Sequence, residues 1–172
     1  MEIPAAPEKW EAMRHLEIAA GELAVREDKS PNEDSNGRIA EYRASVRDSR
    51  YTTKPGDAYC AAFVSWCLDQ ADNPILHDHG SGISYVPWLW DWLYHHDMWF
   101  TYSAAEPEPG DLILFSLGGE RPDHVGFVLE VGDHRSDLLT IEGNVGGHPN
   151  GGVKKMRRKI NDRILGFGAL NK

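Results

Sequence analysis

Four runs rich in β-branched and aromatic residues follow one another through the second half of the chain, and short stretches of turn chemistry separate them. They are DLILFSL (111–117), HVGFVLEV (124–131), LLTIEGN (138–144) and RRKINDRILGFGAL (157–170). The pieces between them, GGERPD, GDHRSD and GGHPNGG, carry the Gly, Pro, Asp and Asn that turns require. Connections of this kind imply an antiparallel meander, because parallel neighbours need a long crossover. No internal repeat is present, and the Gly-rich stretch 143–152 reads as a loop.

The first half has a different period. Residues 8–24 place Trp10, Met13, Leu16, Ala20 and Leu23 at spacings of three and four, the pattern of an amphipathic helix. The polar stretch REDKSPNEDSNG then predicts a loop before a second helix over 38–46. After it comes AAFVSWCLDQA, apolar nearly all round and therefore a buried helix, with Asp57 as the expected N-cap. That cap makes Ala58, Tyr59 and Cys60 the first three helical positions. Residues 85–102 hold Trp88, Trp90, Trp92 and Trp99 and predict a short helix followed by an extended piece. The class is α+β, with N-terminal helices packed on a small antiparallel β-sheet, and the length suits one domain over 1–172.

Charge and hydropathy exclude several function classes. A net charge of −9 supplies no broad basic surface for a phosphate backbone, so nucleic acid is not an expected partner. No apolar run approaches the roughly 18 residues of a membrane span, so no membrane partner is expected either. The N-terminus lacks the basic and apolar regions of a signal peptide. The expectation is a monomer synthesised in the cytoplasm, reaching any site outside it by release or injection.

Only two cysteines are present, Cys60 and Cys67. Seven residues of helix rise about 10.5 Å, beyond the roughly 7 Å reach of a disulfide, so they are not expected to pair. Cys67 reads as a core residue. Cys60 lies among the unpaired N–H groups at the positive end of a helix, which favours a thiolate. A thiol there also reads as a small buried hydrophobe until a base is found.

Eight histidines compete for that role. His124 opens a strand whose alternation puts Val125, Phe127, Leu129 and Val131 on one face and His124 with Gly126 on the other. On the next strand Thr140, Glu142 and Asn144 share a face, so either Glu142 or Asn144 can hold the imidazole. The aromatic stretch reads first as core packing and second as a wall that stacks on sugar or peptide. Tyr59, Trp88 and Trp90 are the candidate substrate contacts.

Taken in order, GDAYCAAFVSWCL, PEPGDLILFS, DHVGFVLEV and TIEGN resemble the CHAP family of cell-wall amidases and peptidases, within the wider papain-like group, over about residues 12–170. The resemblance implies a papain-like fold and a cysteine nucleophile at Cys60. It implies His124 as base, with Glu142 and Asn144 as the residues that orient and polarise. The implied substrate is peptidoglycan, cut at the N-acetylmuramoyl-L-alanine amide or within the stem or cross-bridge peptide. A phage lysin and an injected antibacterial effector both fit, the second with an immunity protein as partner. The rival reading is a catalytically inactive glycan- or wall-binding module of the same fold.

No cofactor is expected. Asn32, Asp34 and Asn36 before Gly37 echo the start of a calcium loop, but Arg43 stands where the bidentate Glu belongs, so a solvated loop is preferred to calcium. The pairs at His77/His79 and His95/His96 lack the spacing and thiolate partners of a zinc site. The basic run KKMRRK (154–159) reads as a solvated strand end.

Overall fold

A computed structural model of the protein describes residues 13–27, 37–46, 54–73, 82–133, 137–147, 150–160 and 163–170. The apolar segment after Tyr59 is the central helix, α3 (Cys60–Gln70), and every residue from Cys60 to Leu68 is buried. Two shorter helices, α1 (Arg14–Gly21) and α2 (Gly37–Ser45), pack against it through Leu16, Ala19, Ile39 and Tyr42. The helix α1 begins at Arg14 and ends at Gly21; the expected start near residue 8 lies outside the described residues. Helix α4 (Val86–His95) carries Pro87 in its first turn, where the missing N–H costs nothing.

The strands are β1 (Trp99–Phe100), β2 (Leu112–Phe115), β3 (His124–Val131), β4 (Asp137–Val145), β5 (Gly152–Lys159) and β6 (Ile164–Gly168). They form one sheet in the order β1-β6-β2-β3-β4-β5, antiparallel at every pairing. The expected α+β arrangement, helices first and antiparallel sheet afterwards, is the observed one. The last expected run divides in two: β5 begins at Gly152, five positions before Arg157, and β6 follows a turn in which Arg163 has φ +59°.

Both faces of the sheet are covered. Leu112, Leu114, Val125, Phe127 and Ile141 join the α3 side, while Ile113, Phe115, Val128, Leu138 and Phe167 form a second apolar cluster. A fully buried Leu, Ile or Phe contributes roughly 1.5–3 kcal/mol through lost apolar surface, so these two clusters dominate the cohesion of the sheet. Val131 departs from the expected alternation and packs with the second cluster. The cause is a register shift between Val128 and Glu130 where β3 meets β4, since a bulge moves the following side chains to the opposite face.

Strand β4 approaches α3 closely at Gly143. A Cβ on that glycine would fall 2.9 Å from Phe63 Cβ and 3.0 Å from its ring, so only glycine lets the two layers meet at this distance.

Candidate active site

Cys60 is the first residue of α3, and the residue before it, Tyr59, has non-helical backbone angles and no side-chain cap bond. The expected Asp57 cap is therefore not formed. Gly56 turns the chain at φ +91°, and Asp57 closes that turn reciprocally: its Oδ2 accepts from Lys54 N–H at 3.0 Å, and its N–H donates to Lys54 O at 3.0 Å. The helix starts two residues later than a cap at Asp57 would give, with Phe63 N–H making the first bond to Tyr59 O at 2.8 Å. Cys60 still sits within the first turn, among N–H groups that have no intrahelical partner.

His124 opens β3 beside Phe115 of β2, and its side chain is buried. Its Nε2 lies 2.7 Å from Glu142 Oε2. Burial would lower the imidazole pKa, but the hydrogen bonds and charges of Cys60 and Glu142 outweigh it and raise it to about 9. The Cys60 thiol is thus close enough to the imidazole to act on its charge. With Nε2 taken by the carboxylate, Nδ1 is the ring nitrogen left for the thiol.

Glu142 has no exposed surface, yet it is held as a carboxylate. Burial pushes its carboxyl up, and this is more than offset by hydrogen bonds from Arg158, His124 and Thr140, which bring it down to about 2. Arg158 donates twice, from Nε to Oε1 at 2.8 Å and from a terminal nitrogen to Oε2 at 2.6 Å. The Thr140 hydroxyl donates to Oε1 as well. The register that places Glu142 beside His124 depends on Gly126, opposite Glu142 across β3 and β4. A Cβ there would meet Glu142 Cγ at 2.5 Å and Ile141 O at 2.8 Å.

Asn144 is not part of this chain of contacts. It has φ +61°, and the pairing of β4 with β5 shifts register between Glu142 and Val145, so the alternation that would put it beside Glu142 is broken. Among the described residues no hydrogen bond joins it to His124. Arg158 is the member that sequence reasoning missed. The run KKMRRK is not a strand end but most of β5, in which Lys155, Arg157 and Lys159 face solvent while Lys154, Met156 and Arg158 are half-buried. The Arg158 guanidinium also lies 4.8 Å from the Phe115 ring centroid.

A cleft of about 530 Å³ opens over Cys60. One wall is Ser84, Tyr85, Val86 and Pro87 at the entry to α4, and the other is the β2–β3 loop from Gly118 to Asp123. That loop is shaped by the Asp123 carboxylate, which accepts from the N–H groups of Leu117 at 2.7 Å and Gly118 at 2.6 Å. Tyr59, expected to touch substrate, is completely buried under Arg43 and offers the cleft nothing. Trp88 is half-buried and stands edge-on to Tyr85, which does line the cleft. Trp90 lies further along α4, at the surface with Tyr94 and against Trp99.

Cys67 is a second free thiol, fully buried, and burial pushes its pKa well up. Among the described residues no group of three His, Cys, Asp or Glu side chains is placed to hold a metal. His95 pairs with Asp91 at 3.5 Å on the exposed side of α4, and His96 stacks on Trp92. The calcium-like stretch 32–36 and the histidines at 77 and 79 lie outside the described residues.

Cys60 at a helix start thus shares its surroundings with His124, and a buried carboxylate is hydrogen-bonded to that imidazole. The family model for the CHAP domain matches residues 36–144, which span Cys60, His124, Glu142 and Asn144 but stop short of β5. The chain belongs to the CHAP domain family, whose members are typically hydrolases acting on peptidoglycan. Comparison with curated proteins finds no match.

Proposed function

We propose that the chain is a cysteine hydrolase of peptidoglycan amide bonds, with Cys60 as nucleophile, His124 as acid and base, and Glu142 as the group that orients His124. The observation that carries this reading is the placement of Cys60 at the start of α3, close enough to His124 to raise its pKa, with Glu142 hydrogen-bonded to the imidazole.

The Cys60 thiol gives its proton to His124, and the sulfur attacks the amide carbonyl carbon. Free N–H groups at the start of α3 stabilise the developing oxyanion. His124 returns the proton to the leaving amine as the C–N bond breaks, which leaves a thioester on Cys60. Water, deprotonated by His124, then attacks the thioester, and the thiolate leaves. Glu142 keeps one imidazole tautomer and stabilises the imidazolium that each half-reaction forms. Its 2.7 Å contact supports it over Asn144 as the orienting residue.

The bond is the N-acetylmuramoyl-L-alanine amide or a peptide bond of the stem or cross-bridge, and the protein acts as a lysin or as an injected effector. Purified sacculi of several wall types, digested with the wild type and with Cys60→Ala, test the reading by mass spectrometry. Fragments released only by the wild type are expected, and their new termini name the bond. Identical profiles from both proteins on every wall would leave a wall-binding module.

A further inference from the structure

Ser65 lies on α3 five positions after the nucleophile, and its hydroxyl grips the backbone of Ile83 from both sides. It donates to Ile83 O at 2.9 Å and accepts from Ile83 N–H at 2.9 Å. Gly82 makes the approach feasible, since a Cβ there would fall 2.3 Å from Ser65 Cβ. The segment 82–85 is thereby fastened to the same helix that carries Cys60, and the next residue, Ser84, is fixed in the cleft wall shared with Cys60, Tyr85 and Val86.

Ser84 is 7% exposed, and its buried hydroxyl has no hydrogen-bond partner among the described residues. Three other buried hydroxyls around the site are engaged: Ser65 with Ile83, Ser116 with Gly119 O, and Thr140 with Glu142. A buried hydroxyl left without a partner is a net cost to the fold, so its retention beside the nucleophile calls for a partner that arrives with the substrate.

We propose that Ser84 is a substrate-binding residue of this site, its hydroxyl donating to a backbone carbonyl of a peptide lodged in the Cys60 cleft. The proposal rests on the reading of Cys60 as nucleophile. Tyr85, next in the cleft wall, has extended backbone, and the Ser84 hydroxyl marks the register of the peptide relative to the sulfur.

The test is Ser84→Ala, read in three ways. With soluble peptidoglycan fragments, kcat/KM should fall about tenfold, the effect of one neutral hydrogen bond near the top of its usual range. The melting temperature should rise, because the orphaned hydroxyl no longer has to be desolvated. Alkylation of Cys60 by iodoacetamide should keep its wild-type rate, showing that the sulfur and His124 are undisturbed. Wild-type cleavage rates in Ser84→Ala, or a lowered melting temperature, would overturn the assignment of Ser84 alone. A wild type that cleaves no fragment would overturn the reading of Cys60, and the assignment with it.

Discussion

Replacing Arg158 by Met removes the main support of the Glu142 charge while keeping an unbranched stem over Phe115. Burial works against the Glu142 carboxylate, and the Arg158 hydrogen bonds are the first of the causes that overcome it. A carboxyl titrating at about 2 in the fold and about 4.5 in the unfolded chain contributes roughly 3 kcal/mol above pH 4.5, at about 1.4 kcal/mol per pH unit. Because the folded pKa is the lower one, that contribution is lost as the pH falls from 4.5 through 2. His124 and Thr140 still hold the carboxylate in the variant, so the loss at pH 6 should be about 2 kcal/mol rather than the full amount. Near pH 2, where Glu142 is about half protonated in the wild type and more so in the variant, the difference should shrink below about 1 kcal/mol, the scale of the cation–π contact with Phe115. Urea unfolding followed by tryptophan fluorescence at pH 6, 4 and 2 measures both ends. A wild-type minus variant difference that does not change with pH would refute the reasoning and reduce Arg158 to a packing residue.

The His124 shift has the opposite sign: raised from 6.5 to about 9, it stabilises the fold fully below pH 6.5, and that stabilisation is lost as the pH rises through 9. Unfolding free energy should therefore fall over that window in the wild type, and the slope should flatten in Glu142→Gln, where only Cys60 is left to oppose the effect of burial on the imidazole. Titration of the native protein with a thiol reagent should find one reactive sulfur, with none in Cys60→Ala until denaturant exposes Cys67. Two fast thiols in the native state would contradict the buried placement of Cys67. Gly126→Ala should lower stability by about 1–3 kcal/mol through overpacking against Glu142 and Ile141, and should slow Cys60 alkylation as well. An unchanged alkylation rate would show that the His124–Glu142 contact tolerates displacement.

Period-two patterning made β2, β3 and β4 legible before any coordinates, because alternation follows directly from strand geometry. It could not show the bulge after Val128, since an inserted residue changes register without changing composition, and Val131 went to the other face. The start of α3 was misplaced because Asp57 is equally suited to a cap and to a turn, and the conformation of Gly56 decided for the turn. The placement of Cys60 at a helix start and of His124 at a strand start was legible from the sequence, whereas facing positions alone left Glu142 and Asn144 equal candidates beside His124. Arg158 was hidden by its neighbours: a basic run looks solvated throughout. Met156, two positions from Arg158 and half-buried like it, was the one sign that this face of β5 turns inward. Ser84 left no mark in the sequence, because its isolation is a property of what surrounds it.

The nucleophile belongs to one layer of the molecule, while the imidazole, carboxylate and guanidinium belong to three neighbouring strands of another. The second set is fastened by ladder hydrogen bonds and can shift only as a block. Gly143, pressed against Phe63, is the gauge that sets how far this block stands from the helix. A methyl group inserted there would act as a shim, leaving each layer intact while changing the gap across which the proton must pass.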